Sequence, residues 1–226
     1  MLKNFFVSYS KKGFTLAEVL ITLVIIGVIA ALTIPTVINN TKKQEYVSRL
    51  KKAYSTLAQA TNKIIAEEGN PKASIGGWCN SRESMSDMYK KHMQNIKECG
   101  SGSGCFENIT YRGLNGSDAG AGWNLDTAHS SISKKFILAD GTQVLFIYYG
   151  DNESCGGNNW GAQDACGYIF VDINGSKGPN TIARDLFFLE LREDGLYPTG
   201  CERGSCSGVY AYACTCKVLR ESAMNY

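Results

Sequence analysis

The chain has 226 residues, with 23 basic and 21 acidic side chains, 44% hydrophobic residues and two histidines. So even a charge balance excludes a protein that holds nucleic acid by general electrostatic attraction, and the length allows one sizeable core beside an additional segment. With two histidines and no G-x-S-x-G, H-E-x-x-H or phosphate-cradling glycine loop, no catalytic constellation is in view.

The N-terminus carries Lys3, Lys11 and Lys12 and no acidic residue, and from Phe14 to Ile38 the only ionisable side chain is Glu18. Roughly 20 apolar residues suffice for a helix across the hydrocarbon core, and the basic start predicts that the short N-terminus stays in the cytoplasm while the rest is exported. An ordinary secretory signal peptide is the competing reading, with Val28-Ile29-Ala30 as its cleavage site. Against it, the apolar run continues through Leu32, Ile34, Val37 and Ile38. Glu18 also needs a reason, because a carboxylate at the bilayer centre costs about 2.5–3.5 kcal/mol.

The basic leader, the junction Gly13-Phe14-Thr15-Leu16-Ala17-Glu18 and the apolar run to Ile38 resemble the leader of type IV prepilins and type II secretion pseudopilins. The resemblance implies cleavage by a membrane-embedded prepilin peptidase between Gly13 and Phe14, with methylation of the new Phe14 amine. It implies that Glu18, fifth residue of the mature chain, neutralises that amine, usually a neighbour's, as a subunit joins a filament. It further implies an inner-membrane assembly platform, other pilin or pseudopilin subunits and the lipid bilayer as partners. Pro35, twenty-one residues after Phe14, stands where many type IV pilins have a helix-loosening proline. The single-pass protein is expected in the bacterial cytoplasmic (inner) membrane, its C-terminal domain outside the cytoplasm, and then in a pilus or periplasmic pseudopilus. Loss of Lys3, Lys11 and Lys12 would leave 20 basic against 21 acidic side chains, which gives nucleic acid no general hold.

Beyond Ile38 the helix continues. Tyr46, Leu50, Ala53, Leu57, Ala60 and Ile64 recur at spacings of three and four, with Lys42, Lys43, Glu45, Arg49, Lys51 and Lys52 on the other faces. Gly69-Asn70-Pro71 is a helix stop. The expected organisation is a leader over 1–13, a helix over 14–68 that is membrane-spanning or filament core to 38 and amphipathic from 39, and a globular head over 69–226. The helix would measure on the order of 80 Å at 1.5 Å per residue.

Within the head, Ser84 to Cys99 reads as a short helix capped by Ser84, with Met85, Met88, Tyr89, His92, Met93 and Ile96 on one side. Two β-rich runs flank Asp140-Gly141 as a hairpin; Tyr168–Ile173 and Leu186–Leu191 read as further strands, with a turn at Asp194-Gly195. The sum is an α+β class with three to five antiparallel strands, which agrees with the pilin-like ladle fold: a long N-terminal helix packed on an antiparallel sheet with disulfide-rich loops.

All nine cysteines follow the helix, and export supplies the oxidising compartment for disulfides. Cys155 and Cys166 bracket a glycine-rich loop between strands and are the easiest pair. Four bridges leave one thiol. Cys201, Cys206, Cys214 and Cys216 could instead bind zinc, but their spacings lack a two-residue knuckle. In the loop Val171–Asp185, the hard oxygens of Asp172, Asn174 and Asp185 suit Ca²⁺, as an alternative to an Asx turn at Asn174-Gly175 with Pro179 setting the exit. Major pseudopilins hold calcium in a C-terminal loop; no further cofactor is expected. Three functions follow: a structural subunit of a type IV pilus or type II secretion pseudopilus; a minor pilin or membrane-anchored adhesion module; a secreted disulfide-rich protein with an ordinary signal peptide.

Overall fold

The computed structural model describes residues 13–71, 77–93, 96–127, 129–148, 165–201 and 206–226. Two compact units divide at Lys42 and Lys43. The helix α1 (Leu16–Glu68) runs through both, and its stop is as expected: Gly69, at φ 85°, donates its N–H to Ile65 O at 3.0 Å. A positive φ is costly for residues with a Cβ, so glycine ends the helix here.

In the first unit every large apolar side chain from Phe14 to Ile38 that faces outward is exposed, with Phe14 at 88%. Thr22, Thr33 and Thr41 return their hydroxyls to the carbonyls of Val19, Ile29 and Val37 at 2.9 Å each, so these three polar side chains are satisfied within the helix. This is the condition for a helix in lipid, where water offers no partner.

In the second unit, Val47, Leu50, Ala53, Leu57, Ala60 and Ile64 of α1 are buried. After it come α2 (Arg82–His92), β1 (Ile96–Gly100), β2 (Ser133–Leu138), β3 (Gln143–Tyr148), β4 (Gly167–Asp172), β5 (Leu186–Arg192), β6 (Gly195–Pro198) and α3 (Cys214–Glu221). The six strands form one antiparallel sheet in the order of the chain. The α+β, pilin-like arrangement therefore stands, with six strands rather than three to five.

Two boundaries differ from expectation. The helix after Trp78 begins at Arg82, capped by Ser81, whose Oγ accepts the N–H of Ser84 at 3.0 Å; it ends at His92, where Met93 turns extended. Ile96 to Gly100 is not its continuation but the strand β1, because Ile96 to Glu98 pair with Phe136 to Leu138 of β2. The helix α3 was not expected at all. Its eight residues are too few for a helical period to stand out in the sequence, and its place is set by disulfides described below.

Alternation along β3 to β5 sends side chains to two cores. Val144, Phe146, Ile169, Val171, Phe187 and Leu189 meet α1 and α2. Leu145, Ile147, Tyr168, Phe170, Leu186 and Phe188 meet Tyr111, Trp123, Ala211 and Cys214 from the loops and α3. Both faces are covered, so these strands read as continuous apolar runs. Trp123 stacks on Phe170 with ring centroids 6.0 Å apart and meets Phe188 edge-on at 5.6 Å.

Candidate functional site

The N-terminal junction is built from the local chemistry of a helix start. Gly13, Phe14 and Thr15 lie before the helix, and Leu16 is its first residue. The first N–H groups of any helix lack carbonyl partners. Here Thr15 Oγ1 accepts the N–H of Glu18 at 3.2 Å, while Glu18 Oε2 accepts both the N–H and the hydroxyl of Thr15 at 2.8 Å. This reciprocal pair is a capping box, and a carboxylate there is also favoured by the positive end of the helix. The Gly13–Phe14 bond is left outside the helix, next to a carboxylate and ahead of an exposed apolar stretch. Pro35 lies within α1, which continues past it to Glu68.

Residues 9–34 match the model of the prokaryotic N-terminal methylation motif. The chain carries the prepilin-type cleavage and methylation motif. No curated protein and no solved structure matches the chain. With the methylation motif, the helix Leu16–Glu68, which includes a stretch long and apolar enough to cross a membrane, and the disulfides, the protein is pilin-like or pseudopilin-like. The motif runs past Ala30 with the apolar stretch, which a cleavable signal ending there leaves unexplained. It also points to a structural subunit rather than an enzyme.

A second cluster sits at the β4–β5 connection, and it unites the three residues singled out for calcium. Asp172 and Asp185 are fully buried. Asp172 Oδ1 accepts the N–H of Asn174 at 3.1 Å, and its Oδ2 accepts the hydroxyl of Tyr111. The Asp185 oxygens accept the N–H groups of Asn180 and Thr181, each at 2.6 Å. Burial, together with the neighbouring Asp185 charge, pushes the Asp172 carboxyl up to about 8; burial pushes Asp185 up to about 6. The segment is tied to α1: Arg49 Nη1 donates to Ile173 O at 3.4 Å and Tyr46 OH to Gly178 O at 3.3 Å. An Asx turn is present, with Asp172 as the residue whose side chain closes it onto the N–H of Asn174, and the Gly178–Pro179 bond is cis. Turn and acidic cluster coexist. The side-chain oxygens of Asn174 and Asn180 are buried without a hydrogen-bond partner. Such atoms are costly to leave unmatched, and they lie on the same connection as the two buried carboxylates.

Tyr111 was not foreseen as part of this cluster, since nothing in its local sequence marks it. Thr15 was not singled out either, although a threonine three residues before a glutamate, ahead of an apolar run, is the capping-box pattern.

The cysteines are resolved by the fold. Cys99 pairs with Cys105, Cys201 with Cys216 and Cys206 with Cys214, with Cα separations of 5.6, 5.2 and 4.7 Å. The last four are thus committed to disulfides rather than to zinc. Cys166 is also disulfide-bonded, while Cys155, its expected partner, lies outside the described residues. Cys79 is a free thiol; burial pushes it up to about 12, which leaves it inert at neutral pH.

Proposed function

We propose that this protein is a filament subunit of a type IV pilus or a type II secretion pseudopilus, cut between Gly13 and Phe14 by a prepilin peptidase and polymerised through its N-terminal helix. The observation that carries the reading is the junction itself: a Gly13–Phe14 bond outside the helix, a glutamate in the first turn of the helix, and exposed apolar side chains beyond it. After cleavage the Phe14 amine is a cation at neutral pH, and Glu18 is the only ionisable side chain between Phe14 and Ile38. Pairing the two in a low-dielectric bundle compensates both charges. The exposed apolar stretch serves first as an anchor in the inner membrane and then as the surface on which subunits, of this or another pilin chain, pack. Pro35 removes one helix hydrogen bond and gives the packed helix a place to loosen. Mass spectrometry of the mature N-terminus tests this. N-methylated Phe14 is expected; a chain starting at Ala31 would identify an ordinary signal peptide and overturn the reading. Abundance in sheared filaments separates a main subunit from a minor, adhesive one.

A calcium ion at the β4–β5 connection is the companion proposal, favoured by the unmatched oxygens of Asn174 and Asn180 beside two buried carboxylates. Asp172, Asn174 and Asp185 would hold it. The ion would supply the positive charge that the two carboxylates otherwise lack, and would brace the loop against α1.

A further inference from the structure

We infer that the loop closed by the Cys206–Cys214 disulfide presents an aromatic platform that binds a neutral carbohydrate chain. The inference concerns the head alone and does not depend on the filament reading.

The loop reads Cys-Ser-Gly-Val-Tyr-Ala-Tyr-Ala-Cys. Tyrosine, serine and glycine are the residues that recognition loops favour, because tyrosine offers a large rigid face at little entropic cost. Ala211 is buried, whereas Tyr210 is 49% exposed and Tyr212 is half-buried. The two phenol rings are parallel to within 4°, with centroids 5.8 Å apart, and they lie against Trp123 at 5.6 and 5.5 Å. Three rings thus form one patch, rooted through Trp123 in the core on the sheet face turned away from the buried residues of α1.

The patch is held ready. Tyr212 N–H donates to Tyr210 O at 2.5 Å, a tight turn that sets the rings side by side, and Leu114 N–H donates to Gly208 O at 3.0 Å. Two close backbone approaches need glycine. A Cβ on Gly113 would lie 2.4 Å from Val209 Cα, and one on Gly200 would lie 2.1 Å from Ala213 Cα. A surface fixed in this way pays little ordering entropy when it binds.

The groups beside the rings select the ligand. The segment 112–120 borders the loop through Gly113 and Leu114, leads into Trp123 and exposes Arg112, Asn115 and Asp118. Asn115 Oδ1 accepts the N–H of Ser117 at 3.1 Å and Asp118 Oδ1 accepts the N–H of Gly120 at 2.6 Å. The Asn115 amide hydrogens and the second Asp118 oxygen are then left to solvent among the described residues. A sugar ring matches this arrangement: its C–H faces suit the negative face of an aromatic ring, and its hydroxyls both donate and accept. One cation against one carboxylate gives a phosphate chain no hold. A stable protein interface needs about 800 Å² on each partner, far more than one exposed and one half-buried tyrosine supply.

The test uses the full-length chain, disulfides intact, in nanodiscs whose lipids carry no sugar. Cello-, chito-, manno- and galacto-oligosaccharides and a single-stranded oligodeoxynucleotide are the probes, and any oligosaccharide retained is titrated by calorimetry. Wild type should bind at least one oligosaccharide saturably. Tyr210→Ala and Tyr210→Leu should weaken it about tenfold, the scale of losing an aromatic anchor. Tyr210→Phe keeps the ring face and should stay within about twofold of wild type. Tyr197→Ala, at a tyrosine 36% exposed on β6, should change nothing. Tyr210→Leu still covers Trp123 with apolar bulk, so an unchanged melting temperature beside lost binding separates recognition from folding. Retention of no oligosaccharide by wild type overturns the inference, and so does wild-type affinity in Tyr210→Leu. Oligonucleotide binding or self-association that depends on Tyr210 while oligosaccharides do not bind overturns it as well and gives the patch to that partner.

Discussion

Tyr111 donates its hydroxyl hydrogen to Asp172, and both side chains are buried at the turn between β4 and β5. The bond favours the ionised carboxylate but does not outweigh burial, which together with the nearby Asp185 charge keeps Asp172 high, at about 8. In the unfolded chain both aspartates titrate near 3.9. The folded protein therefore holds the extra protons, and the cluster's contribution to stability is whole below about pH 4 and is lost as pH rises through about 6 for Asp185 and about 8 for Asp172. Carboxylates held below their usual range, such as Asp140 beside Lys52, act in the opposite sense and only at lower pH. His129, pushed down by burial, opposes the cluster below about pH 6.5. Comparing wild type with Asp172→Asn removes these shared terms. Without added metal, the variant should melt a few degrees above wild type at pH 8.5, and the gap should close by pH 5. A gap that does not change with pH contradicts the assignment.

Calcium should reverse that order. A cation between Asp172 and Asp185 restores both to their ionised forms, so added Ca²⁺ is expected to raise the melting temperature of wild type at pH 8, with a smaller effect at pH 5 where protons compete. Asp172→Asn and Asp185→Asn should lose the response. Equal shifts in wild type and both variants would mean that calcium acts elsewhere.

Glu18→Val should leave membrane insertion and cleavage at Gly13 largely intact, since the helix becomes more apolar. Its filament fraction should fall steeply. A buried charge that has lost its partner commonly costs about 3–5 kcal/mol, and here the stranded charge is the Phe14 amine. Processed protein in membranes and protein in sheared filaments are the two quantities to compare. Wild-type incorporation by the variant removes the assembly role of Glu18.

Lys135 and Asp126 make a buried ion pair, Nζ to Oδ1 at 3.1 Å, with 1% and 5% of their side chains exposed. Lys135 Nζ also donates to the carbonyls of Asp126, at 2.7 Å, and of Gly102, while Asp126 accepts the N–H groups of Gly104 and Phe106 at 2.6 and 3.1 Å. Through these bonds the pair holds the loop closed by Cys99 and Cys105. Burial raises the Asp126 carboxyl, but the Gly104 N–H and Lys135 outweigh it, and the group stays below its usual range. Lys135→Met strands the carboxylate and is expected to destabilise the protein by about 3–5 kcal/mol. Chemical denaturation measures it. A loss under about 1 kcal/mol would show that water reaches Asp126 and that the pair is not a structural anchor.

What the sequence alone determined about this protein is what acts over one or two turns of chain. The course of α1 follows from its three-and-four spacing and the glycine at 69; the β2–β3 hairpin follows from Asp140-Gly141, where Gly141 takes φ 85°. The methylation motif around Gly13 to Glu18 was legible because it lies within one short stretch of chain. Tertiary structure decided the rest. Ile96 to Gly100 is a strand because β2 offers it hydrogen bonds, not because its composition demands one. Cys201, Cys206, Cys214 and Cys216 admitted several pairings until α3 brought Cys214 and Cys216 back to the other two. Tyr111 meets Asp172 across 61 positions of sequence, and Asp172 lies beside Asp185 because β4 and β5 pair Asp172 with Leu186. Helix periods, caps and turns depend on neighbours in the chain. The buried carboxylates depend on which distant segments exclude water from them, and that exclusion exists only after the sheet has closed over both of its cores.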